Sequence, residues 1–197
     1  MAIKFQYNKT SLQGIEKQLK MRVRALPTIK NKESALRMEV KRAKEEAAEL
    51  KQKLEAQIGV YDKMAALWNE FEPTLIAVQD VQLSVKKLAG IRVPSLDEVV
   101  FSTRPFSLFN SPKWYLDGIR LLQTLAQIGI EYEFCLMKIN RLEYARKKTT
   151  QKVNLFEKVQ IPGFEDAIRK IKRFMEDEEN LSKSSQKIMK SKQASYG

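Results

Sequence analysis

An unbroken seven-residue repeat at the start of the chain limits the fold more than any other feature. From Leu12 the a positions are Leu12, Leu19, Leu26, Glu33, Val40, Ala47, Leu54, Tyr61 and Trp68. The d positions are Ile15, Arg22, Ile29, Leu36, Ala43, Leu50, Gln57, Met64 and Phe71. Fifteen of these eighteen are apolar. Nine consecutive heptads with an apolar a/d stripe specify one long helix that buries a narrow seam against a partner, with a left-handed supercoil. At 1.5 Å per residue, a helix from Ser11 to Phe71 is roughly 90 Å long, far beyond a globular helix. Thr10 followed by Gln13 reads as the capping box that opens it. Pro27 removes a backbone donor inside the pattern, but the heptad keeps its phase there, so a kink is expected rather than a break.

Beyond Pro73 the pattern changes. Thr74 to Ala89 reads as a shorter helix, with Leu75, Val78, Gln82 and Val85 on one face and Gly90 as its stop. Ile91 to Asn110 is rich in β-branched and aromatic residues, and Pro94-Ser95-Leu96-Asp97 reads as the turn of a small β-hairpin. Ser111-Pro112 reads as an N-cap followed by proline at the first helical position. A second seam follows: Leu121, Leu125, Ile128, Tyr132, Cys135, Ile139, Leu142, Arg146, Thr149, Val153, Phe156 and Gln160. Near Pro162-Gly163 its phase slips by one residue, the mark of a stutter and a kink. It then resumes as Phe164, Ala167, Ile171, Phe174, Glu178, Leu181, Ser185 and Ile188.

Two heptad segments around one insert form an antiparallel hairpin. The expected fold is all-α dominated: a long two-helix coiled coil with a middle insert of short helix plus small β-hairpin. Its divisions are a long N-terminal helix over 9–72, the insert over 73–112, a long C-terminal helix over 113–190 and a frayed tail over 191–197.

Composition narrows the chemistry. The chain has no histidine, one cysteine (Cys135) and seven scattered glycines. That removes the commonest general base and metal ligand, any zinc site built on cysteine pairs, and a phosphate-cradling loop. No catalytic residue, metal or cofactor is expected. The carboxylates of Glu45, Glu46 and Glu49, and of Glu176 to Glu179, sit beside lysines on solvated helix faces. Formal net charge is +12, which favours acidic partners: nucleic acid, anionic lipid or an acidic protein cavity. Basic side chains cluster at Arg22, Arg24, Lys30 and Lys32, and at Arg146, Lys147, Lys148 and Lys152. No aromatic residues interleave them, which weakens a nucleic-acid reading. Arginine at the seam positions 22 and 146 reads as a polar register device or a local contact. Aromatic residues gather elsewhere, at Tyr61, Trp68, Phe71, Phe101, Phe106, Phe109, Trp114 and Tyr115, as a small core or a docking surface for a second protein. The short apolar run Leu121–Ile130 does not span a bilayer. Met1–Thr10 lacks the apolar stretch of a signal peptide, so a cytoplasmic location is expected.

The stretch from Lys152 to Ile171, KVNLFEKVQIPGFEDAIRKI, resembles the C-terminal signature of the D subunits of V-type and archaeal A-type rotary ATPases, R-V-N-x-L-E-x-x-x-I-P-x-L-E-x-T-I-x-x-I. Val153, Asn154, Glu157, Ile161, Pro162, Glu165, Ile168 and Ile171 fall in register. Phe156 and Phe164 stand for leucines, and Ala167 for threonine. Near the N-terminus, Leu19-Lys20 and Lys30-x-Lys32 with Leu36 are similar to the family's L-K…L-L-K-x-K-x-x-x-L. Ala25 stands at its usual glycine and Glu33 at a basic position, and Pro27 is a departure. The resemblance covers both helices, about three quarters of the chain.

It implies a non-catalytic central-stalk rotor shaft that carries torque between the catalytic head and the membrane ion-translocating ring. Implied partners are the catalytic and regulatory head subunits A and B, the F subunit of the stalk, and the funnel-shaped C/d subunit that sits over the membrane ring. No nucleic acid and no membrane insertion are expected, and the attachment to the membrane is peripheral, through the complex. Arg22, Arg24, Lys30, Lys32, Lys152 and Arg169 are the candidates for the head. Trp68, Phe71, Phe101, Phe106 and Trp114 are the candidates for the F subunit or the lower stalk. The competing reading is a basic coiled-coil protein that binds nucleic acid or acts as a scaffold.

Overall fold

A computed structural model describes residues 3–107, 109 and 111–195. The element order is α1 (Lys9–Lys63), two short 3-10 turns (Trp68–Glu70 and Pro73–Leu75), β1 (Ile76–Leu88), β2 (Ile91–Thr103), α2 (Tyr115–Leu155), a π-helical turn (Phe156–Gln160) and α3 (Ile161–Ser195). The fold is helix-dominated with a two-stranded antiparallel hairpin in its middle.

The heptad reading of the first segment is accurate to the residue. All eighteen a and d positions are buried or half-buried, including Met64, Trp68 and Phe71 beyond the end of α1. The start of α1 differs from the expectation. Asn8 caps it, its Oδ1 accepting the Ser11 N–H at 2.7 Å, while the Ser11 hydroxyl accepts the Gln6 N–H at 3.2 Å. Asparagine is among the strongest caps, so the helix begins at Lys9, ahead of the start that a Thr10 box would set. α1 stays α-helical through Pro27 and gives way to turns after Lys63, short of the expected Phe71.

The insert corrects the sequence reading most. The segment expected as a short helix over 74–89 is strand β1. Ile76 and Val78 alternate on one phase and Val81, Leu83 and Val85 on another, because a bulge lies between Val78 and Asp80. That shift hides the two-residue period and imitates a helical one. Gly90 ends no helix. Ala89 (φ 47°) and Gly90 (φ 79°) both lie in the left-handed region, as a two-residue type I′ hairpin turn requires, and they join Leu88 to its ladder partner Ile91. Pro94-Ser95-Leu96-Asp97 is therefore no turn but part of β2, an edge strand on which proline is tolerated. α2 begins at Tyr115 rather than at Pro112, whose carbonyl instead accepts a turn hydrogen bond from the Tyr115 N–H at 3.1 Å.

The one-residue phase slip in the second seam has a physical form. The π turn Phe156–Gln160 inserts one residue into an otherwise α-helical run, and the Ile161 N–H reaches back to the Phe156 carbonyl. Pro162 follows at once, so the wider turn lies where the proline ring would crowd the carbonyl four residues earlier. Residues 191–195 of the expected frayed tail are helical and exposed, and 196–197 lie outside the described residues.

The chain divides into two compact units. One joins the N-terminal stretch up to Glu33 with the stretch from Lys148 onward. Its core is Ile15, Phe164, Ala167 and Ile171, with Ile3, Phe5, Leu12, Leu19 and Met175 around it. Glu16 pairs with Lys172, Arg22 with Gln160, Lys30 with Glu157, and Glu33 with Thr150. Rising numbers on α1 meet falling numbers on the other helix, so the pairing is antiparallel. The second unit, Ser34–Lys147, packs Leu36, Val40, Ala43 and Ala47 against Cys135, Ile139 and Leu142, with Val93 of β2 closing the cluster.

Candidate functional site

The aromatic residues form a connected cluster within the second unit. Trp68 stacks on Tyr61 with centroids 4.7 Å apart, and meets Trp114 edge-on at 5.2 Å and Phe71 at 5.3 Å. Tyr115 contacts Phe71 at 5.3 Å and Phe106 at 6.1 Å. The Trp68 indole N–H donates to the Tyr61 carbonyl at 3.1 Å, and the Tyr115 hydroxyl donates to the Glu70 carbonyl. Phe71, Leu75 and Ile119 are buried at its centre. Gly118 permits the approach: a Cβ there would lie 2.8 Å from the Trp114 ring. Four of the five candidates for the lower stalk, Trp68, Phe71, Phe106 and Trp114, thus point into a core that ties the end of α1 to the start of α2. Phe101 stands apart on β2, half-buried, opposite Val78.

The first unit brings two of the six basic candidates, Arg22 and Lys152, to Phe156, and a third, Lys30, to the neighbouring Glu157. The Arg22 guanidinium lies 5.4 Å from the Phe164 ring centroid and 6.0 Å from that of Phe156, and its Nε donates to the Gln160 Oε1 at 3.2 Å. Lys152 Nζ lies 5.8 Å from the Phe156 centroid. Lys30 Nζ contacts Glu157 Oε1 at 2.7 Å. Arg169 is drawn to Asp166 at 2.6 Å on its own helix, and Arg24 and Lys32 are exposed. The Asp166 carboxyl is held below the usual carboxylate range, first by the Lys170 hydrogen bond and then by Arg169.

A surface the residue-by-residue reading did not single out extends along α3. The seam is buried to Ile171, then Phe174 (45% exposed), Leu181 (70%) and Ile188 (58%) face outward. Tyr7 packs on Phe174 at 4.8 Å, and past Met175 no described residue of α3 is buried or half-buried. The same stretch carries Lys183, Lys187, Lys190 and Lys192 without an acid from Ser182 on. The signal was in the sequence: the second seam outlasts the start of the first helix.

In the second unit Lys44 pairs with Glu143 and Lys138 with Glu46, both at 2.6 Å. The Lys44 hydrogen bond lowers the Glu143 pKa. Burial raises that of the Cys135 thiol, which donates to the Ala43 carbonyl at 3.3 Å. Arg146, the other seam arginine, keeps its Nε buried without a hydrogen-bond partner. No described helix is long and apolar enough to cross a membrane.

Comparison with known proteins finds matches along nearly the whole chain. A family model described as the D subunit of ATP synthase matches residues 11–191. The D subunit of the V-type ATP synthase of Borreliella burgdorferi is 31% identical over 192 residues, covering 95% of this chain and 94% of that protein. The protein of the same name from Chlamydia muridarum is 27% identical over 200 residues, covering 98% and 97%.

Proposed function

The chain belongs to the family of ATP synthase D subunits, non-catalytic stalk subunits of V-type ATPases, and from that premise we propose that it is the rotor shaft that transmits torque. The match over residues 11–191, which takes in both helical segments and the hairpin, carries this reading. The physics supports it. A shaft needs elements that resist bending and twisting, and long stretches of packed a/d seam with cross-helix ion pairs supply them.

The proposed partners follow from charge and exposure. The basic α3 end and its exposed apolar stripe, with Arg24, Lys30, Lys32, Lys152 and Arg169, serve the head subunits A and B, and Arg22, turned onto Phe156 and Phe164, serves them from within the helix pair. Exposed lysines facing an acidic bore give contacts that re-form at each step of rotation, because solvent-screened charges attract without locking. Trp68, Phe71, Phe106 and Trp114 act from inside, holding the surface of the insert on which the F subunit of the stalk and the funnel-shaped C/d subunit rest, and Phe101 extends it along β2. The protein works on the cytoplasmic side, peripheral to the membrane through its complex.

Co-expression with the head subunits and the F subunit tests the reading. The chain is expected to elute with them in size exclusion. A bead attached to it should rotate during ATP hydrolysis. Elution of the chain as a separate peak, or a bead that stays still while ATP is consumed, refutes the proposal.

A further inference from the structure

Two irregularities of opposite helices meet at one level of the first unit. On α1, Pro27 has no N–H, so the Val23 carbonyl loses its helical donor. On the other helix, the π turn Phe156–Gln160 leads directly into Pro162. The cross-helix bonds fix their common level. Arg22 and Lys30 flank Pro27 on α1, and their partners Gln160 and Glu157 both belong to the π turn. Packing is thin there as well. No residue is buried from Glu16 to Ala35 or from Glu143 to Gly163. Regular helices owe local rigidity to an unbroken ladder and a buried seam, and both are interrupted here in both helices at once.

We infer that Pro27 and the π turn Phe156–Gln160 form a compliant joint in the helix pair, and that Arg22 is the latch that holds it closed. The side chain of Arg22 reaches every part that would separate. Its Nε holds Gln160 at the end of the π turn, and its guanidinium lies against Phe156 at the start and Phe164 beyond Pro162. A π turn carries one residue more than an α turn, so it can relax without breaking the helices on either side. Opening at this level bends or twists the pair locally and leaves Ile15, Phe164, Ala167 and Ile171 packed. The inference concerns the isolated chain and stands whether or not the chain turns inside a complex.

Hydrogen exchange followed by mass spectrometry on the full chain tests it. Amides of residues 156–161 are expected to exchange at least about tenfold faster than those of 165–172 in the same unit. Arg22→Met is expected to raise exchange at 22–28 and 156–161 by about a further tenfold, with 165–172 unchanged. The paired substitutions Pro27→Ala and Pro162→Ala restore two backbone donors and are expected to slow 156–161 toward the reference segment. This arm reads the joint even if Arg22→Met unfolds the chain. Equal wild-type exchange in 156–161 and 165–172 overturns the joint. An Arg22→Met effect spread evenly over the unit overturns the latch, because a general stabiliser acts without regard to place.

Discussion

Replacing Ile171 with alanine and, separately, Leu181 with alanine separates what the heptad implies from what the packing does. Both residues occupy the same seam of α3 and read alike in the sequence. Ile171 is 0% exposed, in a cluster with Ile15, Phe164 and Ala167, whereas Leu181 is 70% exposed. Truncating a fully buried isoleucine loses its transfer free energy and leaves a cavity, about 2–5 kcal/mol together. A two-helix seam has few neighbouring layers to hold a cavity open, so about 3 kcal/mol is the expected cost. For a chain of this size that is a fall in Tm of roughly 6–12 °C. Leu181→Ala removes apolar surface already in water and installs the best helix former, so the change stays within about 0.5 kcal/mol. Urea unfolding of the isolated chain, followed by circular dichroism, measures both. Equal losses refute the reasoning, because they require the α3 end to be packed in the free protein. In the assembled complex the order changes. If the α3 end lodges in the head, Leu181→Ala weakens co-purification with the head subunits while the free chain keeps its stability.

Gly118→Ala is expected to destabilise by about 1–3 kcal/mol, because its Cβ meets the Trp114 ring at 2.8 Å, whereas Gly129→Ala, with nothing within 4 Å, is expected to stabilise by about 0.5–1 kcal/mol; thermal melts compare the two. Ala89→Gly relieves a left-handed alanine (φ 47°) and is expected to raise stability by up to about 1 kcal/mol in urea titrations, with no change in the paired register of β1 and β2 seen by nuclear magnetic resonance. Glu143 has a lowered folded pKa through its Lys44 hydrogen bond, so its contribution is present above the usual glutamate pKa and is lost as pH falls through the folded value. Glu143→Gln is therefore expected to flatten the acid limb of stability against pH, and an unchanged acid limb refutes the link.

Both seams, the lack of catalytic groups and the family were legible in the linear chain. An a/d stripe over nine heptads needs only local periodicity to be read, and every position it named on the first segment is at least half-buried. The stutter near Pro162 was legible for the same reason, since one extra residue shifts the phase of all that follow. Three things waited on the packed structure. Strand β1 was one, because a bulge broke its alternation and only the pairing with β2 restores it. The partners of Arg22 were another: the heptad put it on the seam as a polar register device, but only the packing brings its guanidinium against Phe156 and Phe164 of the other helix. The extent of the packed seam was the last. Phe174, Leu181 and Ile188 continue the pattern of Ile171, and only the position of the opposing chain decides where the buried part ends. Periodicity is a property of one helix, whereas burial is a property of two.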